Sequence, residues 1–128
     1  MRLGVITASG VDSVMAKSGS VTRMGYMSEL IAEIATGAPK PLVSAKALQW
    51  GLDNEPAAIE TYTFTTGEVV QQVPFIYKDM NMRVGCSPDG VMSSKTLELK
   101  CPFNTRHHVE LIIDGVMKKE YQQQTQFQ

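Results

Sequence analysis

Ser87-Pro88-Asp89-Gly90-Val91-Met92-Ser93-Ser94-Lys95-Thr96-Leu97-Glu98-Leu99-Lys100 is the most informative stretch of this 128-residue chain. It sets one carboxylate, Asp89, just before a turn and a second, Glu98, two residues ahead of Lys100. On a β-strand, residues i and i+2 face the same way, so Glu98 and Lys100 share one side while Leu97 and Leu99 take the other. A hairpin reversal through Ser93-Ser94 brings Asp89 alongside them. Two carboxylates and an ammonium meeting at one point suit a hard divalent cation and a polarised water, the equipment of a nuclease centre.

Taken bare, Pro-Asp, a variable gap and then Asp/Glu-x-Lys is a weak pattern, matched by accident in roughly one chain of this size in twenty. Its surroundings strengthen it. The gap is short, the Glu-x-Lys half lies on an expected strand, and an acid-bearing helix precedes the strands.

The length fits one domain, residues 1–128, and the 43% hydrophobic and 20% charged residues fit an ordinary globular protein. No apolar run reaches bilayer-spanning length, and the N-terminus lacks a signal-peptide layout. Two cysteines, Cys86 and Cys101, make no disulfide framework and point to a reducing cytosol. A formal net charge of −1 argues against broad adhesion to nucleic acid, yet leaves room for a local positive track.

Outward from the motif, Ser9 is the expected N-cap of a first helix ending near Lys17. Arg2 alone reads as a solvated surface charge; with Ser9 and the cap's free N–H groups it could instead surround a phosphate. Residues 24–36 predict an amphipathic helix with Met27, Leu30, Ile31 and Ile34 inward and Glu29 and Glu33 toward water, closed by Gly37. Helical signal resumes from Ser44 to about Thr66, with Pro56 forcing either a kink or two helices and Glu55 at the break. There Glu55 reads most simply as an exposed acid near a helix N-terminus. Strands are expected over 69–77 (an edge or bulge, given Pro74), 82–87 and 96–101. Asn104 or Thr105 caps a helix ending at Asp114-Gly115, and a last helix from near Met117 aligns Tyr121, Gln124 and Phe127 on one face. His107 and His108 read as helix-surface residues without a partner acid, and Cys86 and Cys101 as packed thiols on adjacent strands.

Several blocks in order also carry a resemblance. They are Arg2-Leu3-Gly4-Val5-Ile6-Thr7-Ala8-Ser9; Ala47-Leu48, Trp50-Gly51 and Glu55; Met82-Arg83; Cys86-Ser87-Pro88-Asp89-Gly90; Leu97-Glu98-Leu99-Lys100-Cys101-Pro102-Phe103; and Tyr121 with Gln124 and Gln126. Together they resemble the lambda-exonuclease family of viral recombination exonucleases across nearly the whole chain.

The resemblance implies an α/β protein of the α+β kind with a restriction-endonuclease-like PD-(D/E)xK core. N-terminal helices would lead into a mixed or antiparallel sheet and then C-terminal helices. It implies a 5′-to-3′ exonuclease that digests one strand of linear double-stranded DNA using two Mg²⁺ ions, with Mn²⁺ able to substitute. Asp89, Glu98, the backbone carbonyl of Leu99 and Glu55 would hold the metal, and Lys100 would orient and help deprotonate the attacking water. Arg2 and Ser9 would hold the 5′-phosphate, with Tyr121 and Gln124 lining the cleft. The implied partners are DNA ends, a single-strand annealing protein and two further copies in a homotrimeric ring, in the cytoplasm of a bacterial host carrying a phage or prophage.

Family members extend further at both ends, and the connections between Asp89 and Glu98 and between Gly115 and Tyr121 are shortened here. The chain is therefore expected to be a truncated nuclease core. Two alternatives stay open: an inactive remnant keeping only the fold and a DNA-end or self-assembly surface, and an endonuclease or junction resolvase on the same fold.

Overall fold

Helix ends in this chain fall where side chains and glycines replace the hydrogen bonds a helix cannot supply to its own termini. The computed structural model describes residues 2–41 and 46–128. In order it holds β1 (Ile6–Thr7), a 3-10 turn (Ala8–Gly10), α1 (Val11–Met15), α2 (Val21–Thr36), α3 (Lys46–Thr66), β2 (Ile76–Tyr77), β3 (Val84–Cys86), β4 (Gly90–Val91), β5 (Thr96–Leu97), α4 (Thr105–Asp114) and α5 (Lys119–Phe127). The Ser20 hydroxyl accepts from the Arg23 N–H and starts α2; Gly37, left-handed at φ 65°, ends it. Asn104 caps α4 by accepting from the Arg106 N–H, and Gly115 closes it at φ 62°. Contacts group the chain into two compact units.

The first unit comprises Met1–Leu42, Pro74–Ser87 and Lys119–Gln128. Its sheet has the order β1-β3-β2, with β1 parallel to β3 and β2 antiparallel. Val5, Ala8, Val11 and Cys86 are buried there. The last helix, α5, packs on α1 and on the 3-10 turn, and α1 packs on α2. Along α5 the half-buried side chains include Tyr121, Gln124 and Phe127, the face expected from their spacing. Gly4 ties the N-terminus to α2. Its N–H donates to Glu33 Oε2 at 2.9 Å, its φ is 62°, and a side chain in its place would run into Ile34.

The second unit comprises Val43–Val73 and Pro88–Lys118. Strands β4 and β5 form the hairpin, with Gly90 opposite Leu97 and Val91 opposite Thr96. The turn closes through the Met92 N–H donating to the Lys95 carbonyl at 2.9 Å. On the other side of β4, Gln71 pairs with Val91 through two backbone bonds of 2.9 and 2.8 Å, giving the hairpin a third partner. Leu97 is buried beneath it, and Trp50 of α3 meets Phe103 edge-on with ring centres 5.9 Å apart.

Several expectations are corrected. Ser9 is not a helix cap: it sits inside the 3-10 turn, and Gly10 occupies the cap of α1. The short run Val5-Ile6-Thr7 is a strand entrance, a β-branched signal hidden by its brevity. The segment 69–77 is strand only at Ile76–Tyr77, and the ladder of β5 stops at Leu97, so Glu98 and Lys100 lie just beyond it. Residues 46–66 form one continuous helix with Pro56 inside; Ser44 and Ala45, part of that expectation, lie outside the described residues. Cys86 lies on β3, but Cys101 lies beyond the end of β5, so the two are not on adjacent strands. Glu33 is not a solvated acid, because its second oxygen also accepts from the Lys40 N–H. The apolar stripe of α2 is far from buried, with Ile31 62% and Ile34 53% exposed. No described helix is long and apolar enough to cross a membrane.

Candidate metal centre

The hairpin and its continuation carry Asp89 and Glu98. Asp89 enters β4 at a bend, half-buried, and its Oδ2 accepts the Leu99 N–H at 2.5 Å across the hairpin. That bond fixes the carboxylate against the opposite chain. It is charge-assisted, and it uses a backbone donor that the ladder has released by ending at Leu97. Glu98 lies one residue earlier, and its side chain is only 7% exposed. Lys100 reaches back to it, Nζ to Oε1 at 2.5 Å, which confirms that the two side chains share a face.

Glu55 arrives from α3. It is half-buried in the turn beside Pro56, and the Gln72 amide donates to its Oε1 at 3.5 Å. Asp89 registers the company. Burial pushes its carboxyl above the ordinary 3.8 and the Leu99 N–H opposes this, while the charges of Glu98 and then Glu55 push it further up and Lys100 weakly counters them. The Cys101 thiol is raised from 9.0, first by burial and then by Asp89 and Glu55. Asp89, Glu98, Glu55, Lys100 and the Leu99 backbone thus share one neighbourhood.

No three His, Cys, Asp or Glu side chains among the described residues are grouped closely enough to hold an ion by themselves. Mg²⁺ does not require such a cage: it keeps several waters and is held by one or two carboxylates together with substrate phosphates. An Asp–Glu pair that repels itself, backed by a third acid, fits that demand, because a dication removes the repulsion.

The remaining expected site residues belong to the first unit. Arg2 is exposed and its guanidinium lies over the Phe75 ring, 4.7 Å from the centroid. Ser9 is exposed, its hydroxyl 3.2 Å from that of Thr7. Tyr121 and Gln124 stand on the half-buried face of α5.

Sequence reading missed some partners. His107 does have an acid: its Nδ1 lies 3.3 Å from Glu110 Oε2, one helical turn on, and Glu110 also takes the Arg106 guanidinium at 2.6 Å. His108 lines an open groove of about 660 Å³ with Trp50, Asn54, Tyr62, Cys101 and Thr105. Glu68, not singled out beforehand, accepts from Tyr62 at 2.6 Å and pairs with Lys95 at 2.7 Å.

Residues 1–128 match the YqaJ-like viral recombinase domain along their whole length. The chain belongs to that family. Two crystal structures of LHK-Exo, an alkaline exonuclease from Laribacter hongkongensis, share the fold of this recombinase domain. One, in complex with dAMP, is 41% identical with a TM-score of 0.88, the match covering 99% of this chain and 63% of that one. The other is 40% identical with a TM-score of 0.85, covering 96% and 61%. The recombinase domain described here thus spans somewhat under two thirds of the exonuclease it matches. No curated protein matches it.

The α+β fold expected from the sequence is therefore that of the lambda-exonuclease-like nucleases.

Proposed function

We propose that this chain is the catalytic part of a Mg²⁺-dependent exonuclease that removes nucleotides from the 5′ end of one strand of linear duplex DNA, in recombination by strand annealing. The observation that carries this reading is the Asp89–Leu99 bond across the hairpin beside the Glu98–Lys100 pair, within a viral recombinase fold. Asp89 and Glu98, with Glu55 and the Leu99 carbonyl, are the groups that would hold the metal. Bound there, Mg²⁺ supplies Lewis acidity toward the phosphate and makes a water nucleophilic near neutral pH.

The chain's own residues do the rest. The Leu99 N–H keeps Asp89 from turning away, leaving its other oxygen for a ligand. Lys100, anchored on Glu98, holds an ammonium where it can orient the attacking water; only after giving its own proton to solvent can the neutral amine take the water's proton. Attack at phosphorus breaks the bond to the 3′ oxygen, which leaves as a hydroxyl, and a 5′-mononucleotide is released. Arg2 and Ser9 are the candidates for holding the 5′-phosphate, and Tyr121 and Gln124 for lining the cleft. A trimeric ring and transfer of the exposed strand to an annealing protein extend the same reading to the assembled enzyme.

The test is release of mononucleotides from 5′-phosphorylated linear duplex with Mg²⁺ or Mn²⁺, compared with Glu98→Ala. Release by the wild type and none by the variant supports the proposal. Cleavage of closed circular DNA would turn it into an endonuclease. Folded protein without any release leaves the inactive remnant that keeps only the fold and a DNA-end or self-assembly surface.

A further inference from the structure

The acids of the candidate centre come from two elements. Glu55 rides on α3, whereas Asp89 and Glu98 ride on the β4–β5 hairpin and its continuation. Neither element brings the other's acids with it, so whatever joins α3 to the hairpin sets the spacing of the carboxylates. Besides the Trp50–Phe103 ring contact and the Gln72 bond to Glu55, two devices in the second unit contribute to that join. One is the backbone pairing of Gln71 with Val91. The other is made of side chains and is centred on Glu68.

Glu68 follows α3 directly, after Gly67. Its Oε2 accepts the Tyr62 hydroxyl at 2.6 Å, and its Oε1 takes the Lys95 ammonium at 2.7 Å. Tyr62 stands seven residues after Glu55, about two helical turns, and therefore on the same side of α3. Lys95 closes the hairpin turn, and its carbonyl accepts the Met92 N–H. One carboxylate thus grips the helix with one oxygen and the hairpin tip with the other.

Resting on the metal-centre reading above, we propose that Glu68, with Tyr62 and Lys95, is a positioning clamp that sets the Glu55-to-Asp89/Glu98 spacing and so tunes divalent-cation affinity. Glu68 itself touches neither metal nor substrate. A plain surface ion pair would matter little, being exposed and screened. The clamp differs in consequence because the two elements it joins each carry ligands. Outer groups that orient metal ligands typically govern affinity by 10- to 100-fold.

The experiment is titration of the purified protein with Mn²⁺ alone, followed calorimetrically and by loss of the free-ion paramagnetic resonance signal. Thermal midpoints are read in parallel without metal. Glu68→Ala is expected to raise the Mn²⁺ dissociation constant roughly tenfold. Tyr62→Phe, which removes only one oxygen, is the conservative second variant and should weaken binding in the same direction. The two changes together should cost no more than Glu68→Ala alone, since they break one device. The paired exchange Glu68→Lys with Lys95→Glu should recover part of the loss.

Variants that fold and bind Mn²⁺ as the wild type does, whether or not their midpoints fall, overturn the clamp and leave the metal centre standing. A wild-type protein that takes up no Mn²⁺ overturns both readings at once.

Discussion

Replacing Asp89 by Asn separates what its charge does from what its shape does. The wild-type carboxylate is half-buried, accepts the Leu99 N–H, and is repelled by Glu98 and Glu55. Asparagine keeps an acceptor for Leu99 and removes the charge, whereas alanine removes both. A hydrogen bond to a charged partner contributes about 1.5–3 kcal/mol and a neutral one about 1 kcal/mol. The two variants should therefore differ by about 1 kcal/mol, some 3–5 °C in a domain of this size. Because the carboxyl is raised above its ordinary 3.8, the native state holds the proton more tightly than the unfolded chain does. Wild-type stability must then fall as pH rises from 3.8 through the raised value, and level off above it. Asp89→Asn escapes that loss, and without metal near neutral pH it should melt at or above the wild type, with Asp89→Ala below it. Added Mg²⁺ reverses the ranking, since ligand at ten times its dissociation constant stabilises the wild type by about 1.4 kcal/mol. Differential scanning fluorimetry in chelator and in Mg²⁺ reads all of this. If Asp89→Asn melts as low as Asp89→Ala in chelator, and Mg²⁺ shifts all three proteins equally, the acids do not repel one another and hold no cation.

Lys100→Met should lower kcat for nucleotide release by roughly 10²-fold or more while leaving Mn²⁺ binding nearly unchanged, because its assigned task is proton handling; single-turnover assays beside the metal titration check this. Gly4→Ala should destabilise the first unit by at least about 1–2 kcal/mol in urea unfolding, given its left-handed φ and its contact with Ile34. The Glu68 clamp should have a defined pH window. Its carboxyl is held below 4.5 by hydrogen bonds from Lys95 and then Tyr62, so its contribution is present above 4.5 and lost as pH falls through the lowered value. The hydrogen bond to Glu68 raises Tyr62 above 10.0 and Lys95 above 10.5, so their contributions persist below those values and are lost as pH rises through the raised ones. The melting difference between wild type and Glu68→Ala should accordingly be flat between the carboxyl and phenol limits and shrink outside them.

What the sequence made legible is what depends on neighbours along the chain. Gly37, Asn104 and Gly115 act within a few residues, and each helix end they mark is real, whereas α2 starts three residues before the expected 24, at the Ser20 cap. The hairpin was equally readable, because Ser93-Ser94 has to turn and Glu98 and Lys100 have to alternate with Leu97 and Leu99. Failure came where distant groups decide. Ser9 has the chemistry of a cap, yet the 3-10 turn leaves that job to Gly10. Glu33 has the spacing of a solvated acid, yet the Gly4 amide, twenty-nine positions away, claims it. Glu68 carries no signal in the sequence, because its partner Lys95 comes from the hairpin twenty-seven positions on. The apolar stripe of α2 was read correctly as a stripe, but periodicity cannot say whether anything covers it.

The Leu99 amide gives the hairpin a further property. One peptide unit offers its N–H to Asp89 while the side chains on either side, Glu98 and Lys100, grip each other. The two halves of the motif are therefore written into the same few bonds, which hold so long as the Leu99 N–H stays within reach of the Asp89 carboxylate. The exposed tip at Ser93 and Ser94 is then the place where the hairpin can accept a fluorescent label, provided Lys95 keeps its pairing with Glu68.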